Sequence, residues 1–255
     1  MKIQGKTFVV TGGASGLGEA TVRKLYNSGA NIVILDLNES LACKVIKDLT
    51  GCDDCPQILY QYADVTDEKS TSLAFKKTIE RFKRLDGLIN CAGVIELGPT
   101  TEKENYEKFL KVISVNLSGT YNATRLAFDV MKDQEILDED RGVIIMTSSI
   151  AAFDGLKNLS AYSASKAAIA GMTLPLAREF SVSGVRVMSV APGPIETPLL
   201  MQVPKVIRDG LSSVVPYPPR CGLTSEFAQL CAHIIENAYL NGETIRMDGG
   251  LRMPL

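Results

Sequence analysis

The sequence predicts an α/β fold, in which a parallel sheet of about seven strands is covered by crossover helices on both faces. Short apolar segments alternate with longer amphipathic segments along all 255 residues, which is the pattern of a doubly wound sheet. Several short segments, such as Val143-Ile144-Ile145-Met146, are apolar at consecutive positions, as expected for strands buried on both faces. No repeat or linker interrupts this alternation, so residues 1–255 are predicted to form one domain.

Seven strands and six helices are predicted from these segments. The strands are Thr7–Val10, Asn31–Leu35, Ile58–Tyr62, Gly87–Asn90, Val143–Thr147, Val185–Val190 and Thr244–Met247. The helices are Gly16–Ser28, Glu39–Leu49, Glu68–Phe82, Tyr106–Met131, Ala161–Phe180 and Ser225–Glu236. The proline-rich stretch Pro192–Pro219, here called the lid segment, breaks the alternation late in the chain, which is typical of a mobile lid over a binding site.

The composition argues against several classes of function. The 27 basic and 29 acidic residues give a formal net charge of −2 without any basic cluster, so no nucleic-acid partner is expected. No uncharged apolar stretch approaches the roughly 20 residues that span a bilayer. The first strand begins close to Met1, which leaves no room for a cleavable presequence. We therefore expect a soluble intracellular protein, with the cytoplasm as the favoured compartment.

The cysteines do not predict a metal centre. Six of them are scattered along the chain, so reduced thiols are expected. Cys52-x-x-Cys55 has no second pair, and the single histidine, His233, is distant, so a polar surface turn is favoured over a zinc site or a redox dithiol. The acidic segment Asp133–Arg141 is interpreted as a solvated loop without a function.

A glycine-rich segment between the first predicted strand and helix, Thr11-Gly-Gly-Ala-Ser-Gly-Leu-Gly18, predicts a dinucleotide-binding turn. Glycines allow turn dihedrals, close approach to a pyrophosphate and tight packing of helix on sheet. The N-terminus of the following helix directs N–H groups toward phosphates. The cofactor-binding residues predicted here are Gly12, Ser15, Gly16, Leu17 and Gly18. A purely structural glycine turn is the alternative.

Asp36 ends the second predicted strand, 18 residues beyond Gly18. A carboxylate at this position can accept hydrogen bonds from both hydroxyls of an adenosine ribose, and it would repel a 2′-phosphate. No arginine or lysine follows at Leu37 or Asn38 to bind such a phosphate. The sequence therefore favours NAD over NADP, and the alternative is that Asp36 is only a loop or N-cap residue.

Tyr162 and Lys166 lie four residues apart in a predicted helix and therefore share one of its faces. The ammonium of Lys166 favours the tyrosinate form, which would lower a phenol pKa that starts at about 10. Ser149 follows a predicted strand at the carboxyl edge of the sheet, where ligands of open α/β sheets bind. We predict that Tyr162 is the acid/base and that Ser149 holds the substrate oxygen. A Tyr-x-x-x-Lys pair alone is common on solvated helices, so its combination with the glycine segment matters.

In combination, these motifs resemble those of the short-chain dehydrogenase/reductase family. The matching positions are Thr11-Gly-x-x-x-Gly-x-Gly18, Asp64-Val65, Asn90-Cys91-Ala92-Gly93, Asn116, Ser149, Tyr162-x-x-x-Lys166 and Pro192-Gly193. The resemblance implies a Rossmann-type fold in which Asp64 and Val65 hold the adenine and Cys91 lines the cofactor cleft. It also implies that Asn116 completes a proton relay, that Lys166 binds the nicotinamide ribose, and that the protein is a homotetramer.

Longer stretches resemble one subgroup of this family, the type 2 3-hydroxyacyl-CoA dehydrogenases, also described as type 10 17β-hydroxysteroid dehydrogenases. These stretches include Arg141-Gly-Val-Ile-Ile145, Ala151-Ala-Phe-Asp-Gly155, Ala161-Tyr-Ser-Ala-Ser-Lys166 and Gly171-Met-Thr-Leu-Pro175. The subgroup pattern implies that Ile195 contacts the nicotinamide, and it points to mitochondria and lipid metabolism. The expected reaction is NAD-dependent interconversion of a secondary alcohol and a ketone, with a 3-hydroxyacyl-CoA or a hydroxysteroid as substrate.

Two alternatives stay open. The first is a small polar alcohol or sugar as substrate, although the apolar lid residues favour an apolar molecule. These residues are Leu199, Leu200, Met201 and Val203. The second is a cofactor-binding protein without catalysis, since a fold alone does not fix a function. The intact set Asn116, Ser149, Tyr162 and Lys166 argues against it.

Overall fold

Seven parallel strands form one sheet at the centre of the computed structural model, which describes residues 1–52, 55–103 and 105–253. The strands are β1 Thr7–Thr11, β2 Asn31–Asp36, β3 Ile58–Tyr62, β4 Gly87–Asn90, β5 Gly142–Thr147, β6 Val185–Pro192 and β7 Thr244–Met247. Their order across the sheet is β3-β2-β1-β4-β5-β6-β7. All seven predicted strands are confirmed, and β1, β2, β5 and β6 extend one or two residues beyond their predicted ends.

The helices cover both faces of the sheet. They are α1 Gly16–Asn27, α2 Glu39–Thr50, α3 Glu68–Phe82, α4 Asn105–Val112, α5 Thr120–Met131, α6 Ala151–Asp154, α7 Ser160–Ser181, α8 Pro198–Met201, α9 Lys205–Ser213 and α10 Thr224–Glu236. A π-helical stretch, Ile113–Gly119, joins α4 to α5. The predicted helix Tyr106–Met131 is therefore continuous but widened at its centre, which an apolar period does not reveal.

Two apolar layers enclose the sheet, because successive side chains of a strand point to opposite faces. On β1, Phe8 and Val10 pack with α1, α2 and α10, whereas Val9 packs on the other face with α3, α5 and α7. All three side chains are fully buried. Burial on both faces explains why strands such as β1 are apolar at consecutive positions, and each such side chain contributes about 1.5–3 kcal/mol to folding.

The strand order reverses between β1 and β4, which are neighbours although β2 and β3 separate them in sequence. The chain winds from β1 toward β3 on one side and from β4 toward β7 on the other. At such a switch point the loops beyond the carboxyl ends of the two strands diverge and leave a crevice. The residues that follow β1 and β4 therefore border one cleft.

The acidic segment Asp133–Arg141 is not simply a solvated loop. Asp140 is buried, and its two carboxylate oxygens accept hydrogen bonds from Arg186 Nε at 3.0 Å and Nη2 at 3.1 Å. Arg186 also donates to the carbonyls of Ile234 and Ile235 near the end of α10. This buried pair ties the amino edge of β6 to α10, and the sequence interpretation missed it because acidic clusters are usually exposed.

Candidate active site

Ser149, Tyr162 and Lys166 meet at the carboxyl end of β5. Ser149 lies two residues beyond this strand, and Tyr162 and Lys166 are one turn apart on α7. Lys166 is buried, and its Nζ donates to the carbonyl oxygen of Thr147, the last residue of β5, at 2.7 Å. This bond draws α7 onto the end of the strand, so the structure brings the three predicted residues together.

The Ser149 hydroxyl has a defined orientation. Its Oγ accepts a hydrogen bond from the backbone N–H of Ala151 at 3.1 Å. Next to it, the Ser148 hydroxyl donates to the carbonyl of Lys166 at 2.8 Å, which fixes this segment against α7. The bond from Ala151 uses one lone pair of Ser149 Oγ and does not use the hydroxyl proton. Ser149 can therefore donate this proton toward the Tyr162 oxygen or a substrate oxygen.

Burial dominates the electrostatics of the site. Desolvation raises the pKa of Tyr162 above its ordinary value, and the hydrogen bond with Ser149 offsets part of that rise. Desolvation also lowers the pKa of Lys166 to about 8. The Lys166 Nζ lies 5.6 Å from the centre of the Tyr162 ring. The expectation that Lys166 lowers the Tyr162 pKa is therefore not met in the protein alone, because removing the phenol from water outweighs the distant charge.

Asn116 lies in the π-helical stretch and is fully buried. Its Oδ1 accepts from the backbone N–H of Val94 at 2.8 Å, and its Nδ2 donates to the Val94 carbonyl at 2.9 Å. The same Nδ2 reaches Ser165 Oγ at 3.2 Å, and Ser165 donates to the carbonyl of Tyr162 at 2.7 Å. Ser165 was missed by the sequence interpretation, although it lies inside the Tyr162-x-x-x-Lys166 motif.

Gly93 separates Asn116 from Lys166. A Cβ at Gly93 would lie 3.3 Å from Asn116 Oδ1 and 3.7 Å from Lys166 Nζ. A side chain here would therefore press between the two groups, and glycine keeps the gap between them narrow. The amide of Asn116 is held in a fixed orientation by its two hydrogen bonds to the backbone of Val94.

A cleft of about 390 Å³ lies outside the carboxyl ends of β1, β2 and β4. Its lining includes all of the predicted cofactor-binding residues of the first half of the chain. These are Gly12, Ser15, Gly16, Leu17, Gly18, Asp36, Asp64, Val65 and Cys91. The lid segment closes the cleft from the other side with Thr197, Pro198 and Leu199.

The glycine segment is shaped for close approach of a phosphate. Gly12 and Gly16 adopt positive φ of 64° and 55°, which other residues rarely do. A Cβ at Gly18 would lie 2.1 Å from the Gly12 carbonyl oxygen, so only glycine lets α1 start here. Ser15 precedes α1 without capping it through its side chain, which leaves the first N–H groups of the helix available to an anion. These features fit a dinucleotide.

Asp36 ends β2 at the rim of the cleft. Its carboxylate accepts from the N–H of Ala14 at 3.0 Å and from the N–H of Asn38 at 2.9 Å. These bonds orient the group and leave further lone pairs for hydroxyl donors. Among the described residues that line the cleft, Lys111 is the one cation, and its Nζ lies 2.6 Å from Glu96 Oε1. The carboxylate of Asp36 therefore dominates its own end of the cleft.

Cys91 and Ile195 differ in their relation to the cleft. Cys91 lines it, with Sγ 3.8 Å from Thr147 Oγ1, and burial raises the pKa of this thiol to about 12, so it stays neutral. Ile195 is 5% exposed and packs into the core beside Gly222. Its side chain is not part of the cleft lining, which the lid segment provides through Thr197 and its neighbours instead.

The cysteine pair Cys52-x-x-Cys55 is described only in part, because residues 53 and 54 lie outside the described residues. Cys52 is exposed and Cys55 is buried, with its Sγ 3.7 Å from the Tyr26 hydroxyl. In residues 1–52, 55–103 and 105–253, no group of three or more His, Cys, Asp or Glu side chains could hold a metal ion. Over the same ranges, no helix is long and apolar enough to cross a membrane.

Comparison with known proteins identifies the family. Residues 6–207 match the family model described as short chain dehydrogenase. The chain belongs to the short-chain dehydrogenase family. A protein of Rattus norvegicus named 3-hydroxyacyl-CoA dehydrogenase type-2 is 45% identical over 258 residues, which cover 98% of this chain and 97% of the relative. The family prediction from the sequence motifs is confirmed.

Solved structures agree with this membership. The crystal structure of 3-hydroxyacyl-CoA dehydrogenase type-2 from Mycobacterium avium has a TM-score of 0.90 and 31% identity, and the match covers 100% of this chain and 99% of that chain. A 3-ketoacyl-(acyl-carrier-protein) reductase from Brucella melitensis, solved with NADH, has a TM-score of 0.89 at 26% identity, covering 97% and 98%. This short-chain dehydrogenase is therefore an oxidoreductase that interconverts a secondary alcohol and a ketone with a nicotinamide dinucleotide.

The buried Lys166 predicts a pH dependence of stability. Its folded-state pKa of about 8 lies below the ordinary value of 10.5, so between these values the unfolded chain binds more protons and stability rises with pH. From pH 8 to pH 10, the free energy of unfolding of the wild type should increase by about 2 kcal/mol relative to Lys166→Met. Urea denaturation at both pH values measures the difference.

The matched control for this experiment is Lys24→Met, which removes an exposed lysine of α1. Its difference from the wild type should stay the same at both pH values. If the difference in free energy of unfolding between the wild type and Lys166→Met is also the same at pH 8 and pH 10, Lys166 is not desolvated in solution.

Proposed function

We propose that this enzyme is an NAD-dependent dehydrogenase of 3-hydroxyacyl-CoA thioesters, with Tyr162 as the acid/base and Ser149 as the group that positions the substrate oxygen. The oriented hydroxyl of Ser149 beside the Tyr162 phenol carries this proposal. A secondary hydroxyl between these two groups loses its proton to the ionised Tyr162 and accepts a hydrogen bond from Ser149. The bound nicotinamide supplies or accepts the hydride. In ketone reduction Tyr162 returns the proton.

Lys166 and Asn116 support Tyr162 in this mechanism. One N–H of the Lys166 ammonium is used by the Thr147 carbonyl, so two remain for a ribose hydroxyl and for a water molecule toward Asn116. The positive charge stabilises the tyrosinate more strongly once a ligand excludes water from the cleft. Asn116 is held by the Val94 backbone and is proposed to orient that water in a proton relay.

The cofactor is proposed to lie along the 390 Å³ cleft. The N-terminus of α1, with Ser15, Gly16 and Leu17, holds the pyrophosphate, and Asp36 binds the adenosine ribose. Asp64 and Val65, which also line the cleft, would contact the adenine. Asp64 Oδ1 accepts from both the N–H and the hydroxyl of Thr66, at 2.9 and 2.7 Å, which keeps this turn rigid.

NAD is the proposed cofactor because of the charge at Asp36. A 2′-phosphate would approach this carboxylate, and Leu37, the next residue, is exposed and apolar. Repulsion without a compensating cation disfavours NADP. The residue Ile195 stands apart from the other proposed cofactor contacts, since its side chain is packed in the core, so any contact it makes is through its backbone.

The proposed substrate follows from the relatives and from the lid segment. Relatives at 43–45% identity carry the name 3-hydroxyacyl-CoA dehydrogenase type-2. Val203 is buried, Leu199 and Leu200 are half-buried, and Met201 is 59% exposed. An apolar lid gains about 25 cal/mol for each Å² of apolar substrate surface that it covers, and a polyol offers little such surface.

A homotetramer is the proposed assembly. The surface of α7 exposes the small residues Ala164, Ala167 and Gly171 beside Leu174. Small side chains allow a helix of a second copy to pack closely, and closed symmetry is the usual form of such assemblies. Sedimentation velocity of the purified protein tests this proposal.

Tyr162→Phe is expected to lower kcat by at least about 10³-fold, because it removes the hydroxyl that transfers the proton. The binding affinity for NAD should change little, since the ring remains. Absorbance of the nicotinamide measures turnover, and titration calorimetry measures NAD affinity. Activity within tenfold of the wild type would rule out this role of Tyr162.

The double substitution Asp36→Ala and Leu37→Arg is expected to shift the cofactor preference from NAD toward NADP. It removes the repulsive carboxylate and adds a guanidinium that can bind a 2′-phosphate. The ratio of kcat/KM for the two cofactors is the measurement. A wild type that already prefers NADP would contradict the proposed role of Asp36.

The substrate proposal is tested with 3-hydroxybutyryl-CoA, a longer 3-hydroxyacyl-CoA, a hydroxysteroid and a sugar alcohol under one condition. We expect the thioesters to have the highest kcat/KM and the sugar alcohol the lowest, with KM falling as the acyl chain lengthens. A preference for the sugar alcohol would overturn both the apolar lid and the thioester assignment. A preference for the hydroxysteroid would keep the lid and change the substrate.

A further inference from the structure

Arg246, on the edge strand β7, is the centre of a buried ion-pair network outside the groups that act on substrate. Its Nη1 and Nη2 donate to the two carboxylate oxygens of Asp154 at 2.7 and 2.9 Å. Its Nε donates to Asp248 Oδ2 at 2.7 Å, and Nη2 also reaches the Leu251 carbonyl at 2.8 Å. The side chains of Asp154 and Asp248 are only 7% and 6% exposed. The guanidinium thus donates four hydrogen bonds, three to carboxylate oxygens and one to a backbone carbonyl.

Asp154 connects this network to Ser149. The four residues of α6 end at Asp154, and the helix starts where Ser149 Oγ accepts the N–H of Ala151. Ile150, which lies between Ser149 and Ala151 in the sequence, packs in a small apolar cluster with Val215 and Leu251. Since α6 is a single turn, a displacement of its Asp154 end carries over to its Ser149 end.

Asp248 connects the same network to both ends of the lid segment. Gly193 is at one end, and a Cβ there would lie 3.0 Å from the Cα of Asp248. At the other end, the N–H of Tyr217 donates to the Gly249 carbonyl at 3.1 Å, and a Cβ on Gly249 would meet Val215. The backbone at Asp248 and Gly249 is therefore wedged between the two ends of the lid segment.

We propose that Arg246 is a positioning residue, which holds Ser149 and the ends of the lid segment in register with Tyr162 through its bonds to Asp154 and Asp248. The inference rests on the proposed roles of Ser149 and Tyr162. Only arginine supplies a planar fork that binds one carboxylate with two N–H groups and a second carboxylate with the third. A lysine keeps the charge at this position, but its ammonium does not fix the orientation of either carboxylate.

The proposed role has a kinetic signature. Loss of the fork lets Ser149 move, and a misplacement of about 1 Å can lower turnover about 10²-fold. The Ser149 hydroxyl beside the phenol also lowers the Tyr162 pKa. Alcohol oxidation requires the ionised Tyr162, so if Ser149 is displaced, the pH profile of kcat/KM moves to higher pH. The other titratable groups near the phenol are Lys166 on α7 and the Cys91 thiol, which faces Lys166, and both are kept in the variant.

The test compares Arg246→Lys with Arg186→Lys in the full-length enzyme. Arg186 also binds an aspartate, Asp140, through two N–H groups. This pair is more deeply buried than the Arg246 pair, and it lies at the amino end of β6, away from Ser149. The assay follows NAD reduction across the pH range, with the substrate of the panel above that the wild type oxidises. Thermal unfolding is measured for each variant.

For Arg246→Lys, we expect kcat to fall at least about tenfold and the midpoint of the kcat/KM profile to rise by about 0.5–1 pH unit. Arg186→Lys should lower the melting temperature and leave this midpoint unchanged. An unchanged midpoint for Arg246→Lys, or the same rise for Arg186→Lys, would overturn the positioning role. If Arg246→Lys does not fold, Asp154→Asn, which keeps the side-chain shape, is read by the same criteria.

Tyr162→Phe in the same assay separates the two levels of inference. If Tyr162→Phe stays active, the proposed mechanism fails, and the positioning role fails with it. If Tyr162→Phe is inactive while Arg246→Lys keeps the wild-type midpoint, the mechanism stands and only the role of Arg246 is wrong.

Discussion

The hydrogen bond from the buried Lys166 ammonium to the Thr147 carbonyl is the constraint on which the rest of the site depends. It joins the second turn of α7 to the carboxyl end of β5 at 2.7 Å. With this contact made, Tyr162 one turn earlier lies beside Ser149, which follows Thr147 by two residues. The desolvation that lowers the Lys166 pKa to about 8 shows that a cation is kept here at an energetic cost, as is common where a structure serves chemistry rather than stability.

A second constraint is close backbone approach, which lets the 390 Å³ cleft and the side chains of Ser149, Tyr162 and Lys166 share one edge of the sheet. The order of β1, β4 and β5 puts the ends of these strands side by side. Gly12 and Gly18 allow the loop after β1 to fold tightly against the start of α1, and Gly93 leaves room between Asn116 and Lys166. A methyl group at Gly12 or Gly18 would clash with the backbone, so the shape of the cleft depends on these two glycines.

The parts of the structure that depend on local pattern could be predicted from the sequence. Apolar runs gave the strands, and the four-residue spacing placed Tyr162 and Lys166 on one helical face. Pairs that are distant in sequence could not be predicted: Arg186 lies 46 residues from Asp140, and Arg246 lies 92 residues from Asp154. The π-helical turn at Asn116 was also missed, because its residues have ordinary helical composition. The raised pKa of Tyr162 depends on burial, which spacing alone does not report.

The two buried arginine–aspartate pairs show why position matters more than the type of interaction. A buried ion pair is weak evidence for stability, because the desolvation of both charges offsets most of their attraction. What a bidentate pair reliably supplies is direction, since both N–H groups must point at one carboxylate. At the amino edge of the sheet, Asp140 and Arg186 use that direction to join β6 to α10. At the carboxyl edge, Arg246 binds Asp154 through its two Nη groups, and Asp154 ends the single helical turn that begins beside Ser149. In the proposed mechanism, this pair sets the position of Ser149 and, through it, the proton transfer.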